Sequence, residues 1–379
     1  MVSFSSTEKS PAKVSATPLV TAISTPLSET ATLKLSPSTP DTQEALTVVA
    51  KHTYHLNPAF PTPKIHDDDE VLIRTYAVGL NPIDWKSVDW NFCLPEYPWV
   101  TGREMSGVVE QVGNNVSGLT VGTRVWTSTY YRDIRSGCFQ QYVIAPQHTV
   151  KRIPDTIDFE AAACLGVCGL TAAMTMWKWL QVPIHTSAQP TIQGNRRFLL
   201  VWGGSSITGQ FAIQIAAYSG LEVIAVASKK TAVLVRELGS TWVVTRDEKT
   251  DDEIVAEIRG IVGDELTLAA DIVGPSTAAS CVAALSSRLP SKIAPLSFLP
   301  KGHVVPRNVT VADVEMKWFI LDKGNERYAV ELNRLVAEGV VKMPELEVLE
   351  GGLGRVEEGL EMQRRGDRAG KKIVVSLRR

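Results

Sequence analysis

The sequence predicts an α/β protein of two domains, a small β-rich barrel into which a doubly wound parallel sheet is inserted. Three observations carry this. The chain has 379 residues, beyond the roughly 250–300 at which a single hydrophobic core stops growing. From Ala45 it reads as short β-branched and aromatic runs separated by Gly, Pro, Asn and Asp. From Phe198 it changes to strand-sized runs alternating with helix-sized ones, the pattern of βαβ crossovers.

Taken in order, residues 1–42 are dominated by Ser, Thr, Pro and Ala and read as a disordered tail. An organelle transit peptide is the competing reading, but this segment carries Lys9, Lys13 and Lys34 and no Arg. The β-rich runs follow as ALTVVAKH, EVLIRTYAVGL, SGVVEQVG, RVWTSTYY and FQQYVIAP. Residues 159–180 are apolar and rich in helix formers, so a helix or helix pair leads out of this part. Next come FLLVWG, helical ITGQFAIQIAAYSG, strand LEVIAVAS, helical TAVLVRELG, strand TWVVT, helical DDEIVAEIRGIVG and strand LTLAADIVG. Such alternation describes a Rossmann-type domain. Beyond about residue 317, two amphipathic helices and a closing strand, KKIVVSL, are too few for a third domain and are expected to return to the first. The expected division is therefore 43–168 with 318–379, and 169–317.

Composition excludes several classes. With 44% hydrophobic and 21% charged residues and a formal net charge of -2, the chain is of ordinary soluble type. Lys and Arg are dispersed. The pairs Lys229-Lys230, Arg364-Arg365 and Lys371-Lys372 are short enough to be solvated faces or anion contacts, so nucleic acid is not an expected partner. No run has the roughly 18 consecutive apolar residues of a membrane span. Five scattered cysteines fit a reducing, cytoplasmic location better than a disulfide framework.

The chemistry begins where strand FLLVW runs into Gly203, Gly204, Ser205, Ser206, Ile207, Thr208 and Gly209 and then into a helix. A dinucleotide pyrophosphate needs a residue without a side chain at the tight turn, a small one where backbone meets phosphate, and a Gly where helix packs on strand. Gly204, Ser206 and Gly209 supply these as G-x-S-x-x-G. At the end of the following strand an NAD site would place an acid, but this chain has Ser228, Lys229, Lys230 and Thr231. A serine hydroxyl and two ammonium groups favour a 2′-phosphate, hence NADPH over NADH.

With these residues in view, the chain resembles the medium-chain dehydrogenase/reductase superfamily, in its zinc-independent quinone oxidoreductase and fungal trans-acting enoyl reductase branch. The resemblance spans about residues 43–379. It rests on G-L-N-P-I-D-W-K at 79–86, G-R-E-M-S-G at 102–107, G-C-F-Q-Q-Y at 137–142, L-G-V-C-G-L-T-A at 165–172, the Gly-rich turn, and residues 366–374. It implies a GroES-like barrel domain and a Rossmann domain with the active site in the cleft between them. It further implies that Ile83, Asp84, Trp85, Lys86, Ser205–Thr208, Ser228–Thr231, Arg368 and Ala369 line the cofactor. Arg246 is the candidate to replace a tyrosine that relatives place after the third strand.

By the same resemblance, Asn81 and Arg103 stand where zinc-dependent relatives carry two metal ligands, and only Cys168 is kept near the third. One thiolate cannot hold zinc, so no metal is expected; Cys164 and Cys168 read as small buried apolar residues. Without a Lewis acid, hydride delivery to an electron-poor C=C bond is favoured over alcohol oxidation. Lys86 is the first candidate to stabilise the developing enolate oxygen or supply the proton; Asp84 is expected to orient its neighbours. Phe92 stands where mitochondrial relatives carry a proposed tyrosine acid, leaving Tyr130, Tyr131 or water as other proton sources.

The leading expectation is thus NADPH-dependent reduction of an enoyl thioester, acting in trans with a polyketide synthase in secondary metabolism. Arg103, Arg132 and Arg135 are candidates for a basic carrier-docking surface. A stand-alone quinone or enone reductase, and a non-enzymatic NADPH-binding sensor or partner-binding protein, are the alternatives.

Overall fold

The strand Phe198–Trp202 is buried along its whole length, and its alternate residues enter different cores, Leu199 and Val201 on one face and Phe198, Leu200 and Trp202 on the other. A strand covered on both faces belongs inside a parallel sheet. In the computed structural model, which describes residues 39–184, 197–366 and 369–378, it lies in a six-stranded sheet. The order is Trp242–Thr245, Glu222–Ala227, Phe198–Trp202, Leu266–Asp271, Ser291–Pro295 and Val309–Val311, all parallel. The order reverses beside Phe198–Trp202, the place where doubly wound sheets open a ligand crevice. The last two strands are short and lack a clear alternation, which is why the sequence did not announce them.

The N-terminal β runs form two sheets around one core. Thr53–Pro61, Thr42–Ala50 and Trp99–Val100 make the smaller sheet. The larger has the order Leu346–Glu350, Lys372–Ser376, Glu70–Gly79, Glu104–Val112, Arg124–Ser128 and Val150–Arg152, with Tyr142–Pro146 also pairing on Glu70–Gly79. Ala45, Val71, Phe139, Val143, Leu360 and Ile373 meet in that core. The strand Lys372–Ser376 thus completes, antiparallel to Glu70–Gly79, a sheet begun some three hundred residues earlier. Thr42 already opens a strand, and Thr39 accepts a hydrogen bond from Gln111, so ordered chain starts ahead of residue 43. The expectations for residues 1–38 and for Arg368 fall outside the described residues.

The helical stretch Phe159–Trp179 links the two halves. It is the one described helix long and apolar enough to cross a membrane, but 94% of its most apolar window is buried, so it is a core helix. Its residues share a core with the helix Ile207–Tyr218 and with Leu332 and Leu335 of the helix Glu326–Ala337.

Candidate active site

At the C-terminal end of Phe198–Trp202 the backbone turns through Gly203, which has φ +91°, a left-handed conformation that favours glycine. The sequence had assigned that tight turn to Gly204. Instead, Gly204 is small because a Cβ there would lie 2.9 Å from the Ala225 Cβ. Gly209 meets its expected need: a Cβ would come within 2.4 Å of the Gly203 carbonyl oxygen, so only glycine lets the helix start this close to the strand. Ser206 caps the helix, its hydroxyl accepting from the Gly209 amide at 3.1 Å and donating to the Gly203 carbonyl at 2.8 Å. The amides of Ile207 and Thr208, the first two of the helix, have no acceptor within it and are oriented for an anion. This cradle fits a dinucleotide pyrophosphate.

The next two strand ends carry the groups expected at a 2′-phosphate. Ala227 and Thr245 are in register, and the Arg246 amide donates to the Ala227 carbonyl at 3.0 Å, which brings Arg246 beside Ser228. Ser228 and Thr231 share a hydroxyl contact of 3.0 Å. Sequence reasoning found no acid here, yet the following turn supplies two: Asp247 accepts from the Lys229 amide at 2.6 Å, and Glu248 takes the Lys229 ammonium at 3.3 Å. Lys229 is therefore partly neutralised. Lys230 and Arg246, both exposed, are left as the stronger phosphate candidates. Gly370 closes this end, its carbonyl accepting from Gln210 at 2.8 Å and its Cα face lying against Thr231 and Leu234, which places neighbouring Ala369 near the cradle.

The N-P-I-D-W-K segment forms the helix Pro82–Asp89, capped reciprocally: the Asn81 amide donates to Asp84 Oδ2 at 2.8 Å and the Asp84 amide to the Asn81 carbonyl at 2.9 Å. The Lys86 ammonium lies 5.6 Å from the ring centres of both Trp85 and Trp90, within cation–π range. It is held, half-buried, by its own helix rather than by an acid. Ile83 is half-buried as well. Asp84 Oδ1 and Trp85 Nε1 are buried without a hydrogen-bond partner, as expected of groups waiting for a ligand.

Burial pushes the Asp84 carboxyl up to about 7, against the opposing pull of Arg103, the Asn81 amide and Lys372; Glu104 reinforces the rise. The folded protein therefore keeps a proton that the unfolded chain releases near pH 4, and this group's contribution to stability falls as pH rises from about 4 to about 7. Asp84→Asn, which keeps an acceptor for the Asn81 amide, is expected to raise the unfolding temperature by at least about 2 °C at pH 8 and to leave it nearly unchanged at pH 4. Thermal unfolding at the two pH values checks this; equal shifts at both would show that Asp84 is not the protonated group.

The floor of the site is a residue that sequence reasoning missed. The sequence leaves Lys371-Lys372 as a solvated face or an anion contact; the Lys372 side chain is 2% exposed and its ammonium is surrounded, with Glu104 as the anion. It donates to Glu104 Oε1 at 2.6 Å, Asn81 Oδ1 at 2.9 Å and the Leu80 carbonyl at 2.9 Å, with Cys168 Sγ at 3.4 Å. Burial works against this charge, but Cys168 and Glu104 around it outweigh that and hold the ammonium above its ordinary value. Glu104 also accepts from Asn81 Nδ2 at 2.8 Å and from the Val167 amide at 2.6 Å. Gly79 and Gly166 make room for it: a Cβ on Gly79 would lie 2.6 Å from Glu104 Oε1, and one on Gly166 2.8 Å from the Glu104 Cβ. The signal was present in the pattern, because KIVVS is a strand without a polar face and a charge opening it needs a buried partner.

Cys168 corrects its apolar reading. Its thiol donates to Asn81 Oδ1 at 3.2 Å and so joins the Asn81 turn to the turn Leu165–Gly169, which packs on the cradle helix Ile207–Tyr218. Cys164 is buried among apolar neighbours as expected. The Arg103 guanidinium lies 4.9 Å from the Tyr131 ring centre, with Arg132 on the same ring at 5.5 Å. Arg135 is not a docking cation: Glu70 and Asp133 neutralise it at 2.7 and 2.8 Å.

Comparison with known proteins agrees with this architecture. Residues 67–155 match the alcohol dehydrogenase GroES-like domain and residues 208–316 the zinc-binding dehydrogenase family. The chain is 33% identical over 319 residues to the trans-enoyl reductase himH of Aspergillus japonicus, covering 82% of this chain and 90% of the relative. Among solved structures, the CurK enoyl reductase superposes with a TM-score of 0.73 at 20% identity, covering 89% of this chain and 99% of that one. A mycobacterial protein solved with NADPH gives 0.70 at 21% identity, covering 88% and 100%.

One matching family is described as zinc-binding, but the donor set of this chain does not fit zinc. Asn81 and Cys168 already surround an ammonium ion, Arg103 adds a second cation, and burial pushes the Cys168 thiol up to about 11, far from the thiolate a metal requires. Among the described residues no three His, Cys, Asp or Glu side chains gather as metal ligands.

Proposed function

The chain belongs to the medium-chain dehydrogenase/reductase superfamily, in its trans-enoyl reductase branch, and from that premise we propose that this oxidoreductase uses NADPH to reduce the C=C bond of an enoyl thioester in trans with a polyketide synthase. The observation that carries the reading is the near full-length match to a trans-enoyl reductase. The cradle at Gly203–Gly209 with Lys230 and Arg246 beside it supports the cofactor.

When bound there, NADPH supplies the hydride for the β-carbon, and a proton is added at the α-carbon. The residues have three tasks. The Ile207 and Thr208 amides hold the pyrophosphate, with Ser205 and Ser206 shaping the turn. Ser228, Lys230, Thr231 and Arg246 receive the 2′-phosphate, with Lys229 shared between it and Glu248. Lys86, held over Trp85 and Trp90, presents its ammonium to the carbonyl oxygen as negative charge develops. The proton comes from Lys86 or from water.

Mixing the purified protein with NADPH and an α,β-unsaturated acyl thioester, free and on a carrier domain, tests the reading directly. Stoichiometric NADPH oxidation with faster turnover of the carrier-bound form is expected. Turnover of quinones without turnover of either thioester would replace it by the stand-alone reductase. For the cofactor, Lys230→Ala/Arg246→Ala is expected to weaken NADPH binding by about 10-fold while NADH binding changes little. Equal weakening of both would remove these residues from the 2′-phosphate site.

A further inference from the structure

We propose that the Lys372 ammonium is a built-in replacement for a metal ion: it occupies the point on which the donors of this cleft converge, keeps divalent metal out, and fixes the turn that carries the N-P-I-D-W-K helix.

The surroundings of Nζ are those of a bound cation. A backbone carbonyl, an amide oxygen, a carboxylate oxygen and a sulfur, from three separated parts of the chain, face it at 2.6 to 3.4 Å. Nothing else in the described structure ties together the end of Glu70–Gly79, the start of Glu104–Val112, the π-helical turn Leu165–Gly169 and the start of Lys372–Ser376 at one atom. A divalent metal would gather such segments in the same way, through oxygen and sulfur donors. An ammonium on a strand does so permanently, at any metal concentration, and with the charge of one counter-ion, Glu104.

Two links make Lys372 a positioning residue. It holds both the Leu80 carbonyl and Asn81 Oδ1, the residues that set the cap of Pro82–Asp89, so the placement of Lys86 depends on it. Through Asn81 and Cys168 it is also joined to the π-helical turn Leu165–Gly169, which packs on the cradle helix Ile207–Tyr218. The matching family description names zinc, but the centre of this site is filled by the chain itself.

The test is metal binding, read by the thiolate-to-cobalt absorption of Co(II). The natural chain and Asn81→Cys, which keeps Lys372, are expected to show no such band. Asn81→Cys/Lys372→Met, which removes the ammonium and offers Glu104 with two thiols, is expected to bind one Co(II) at least about 100-fold more tightly than Asn81→Cys. Folding of the double variant only when cobalt is added would support the proposal equally, since metal then does what the ammonium did. Equal cobalt affinity with and without Lys372, or a folded double variant that binds none, would overturn it. A measurement on the natural chain stands apart from the folding of any variant. In protein labelled with 15N-lysine, the Lys372 ammonium should give a slowly exchanging NMR signal that one equivalent of Zn(II) leaves in place. Loss of that signal on adding zinc would also overturn the proposal.

Discussion

Glu104→Ala is expected to destabilise the folded protein by about 3–5 kcal/mol, the usual cost of leaving one member of a buried ion pair behind. The substitution removes the carboxylate that receives Lys372, Asn81 Nδ2 and the Val167 amide. Three donors, one of them charged, would lose their acceptor where water cannot replace it. Glu104→Gln keeps an acceptor but loses the countercharge, and should fall between Glu104→Ala and the natural chain. Urea unfolding of the three proteins reads the order. If Glu104→Ala unfolds within 1 kcal/mol of the natural chain, about the cost of an ordinary hydrogen bond, the pair is not the buried ionic hub that the distances describe.

Lys86→Ala is the second large effect. Removal of a cation that meets developing negative charge should lower kcat for an enoyl thioester by about 10²-fold. Because Trp85 and Trp90 hold the ammonium without neutralising it, the loss should fall mainly on kcat rather than KM, with Lys86→Arg restoring part of it. A deuterium isotope effect from 4-deuterated NADPH should also grow in Lys86→Ala, as hydride transfer becomes the slower step. Wild-type kcat in Lys86→Ala would remove the residue from the reaction.

The elements legible in the sequence were those with a local signature. FLLVW followed by glycines and a helix names itself, since strand, turn and helix are adjacent. The helix Glu326–Ala337 and the strand Lys372–Ser376 were visible for the same reason, through amphipathic spacing and an apolar run. What stayed hidden depends on pairing at a distance. Lys372 and Glu104 are 268 residues apart, and nothing local tells a buried lysine from a solvated one. Asp247 reaches Lys229 only because parallel neighbours bring successive strand ends side by side. The exchange of roles between Gly203 and Gly204 is a matter of backbone angle, which a motif of letters does not encode. Asn81, Arg103 and the single thiol of Cys168 led the sequence to an expectation of no zinc, but nothing in it placed the Lys372 ammonium beside them.

The return of Lys372–Ser376 to Glu70–Gly79 also sets an order of events on the ribosome. Every strand of the parallel sheet has left the exit tunnel before Lys372 is made, so that sheet can close while the first one still lacks its late strands. Until then Glu104, at the start of Glu104–Val112, lacks the ammonium that it meets at 2.6 Å in the finished fold. The arrival of Lys372–Ser376 therefore does two jobs at once: it supplies a β partner for Glu70–Gly79 and delivers the cation against which the Glu104 carboxylate is buried.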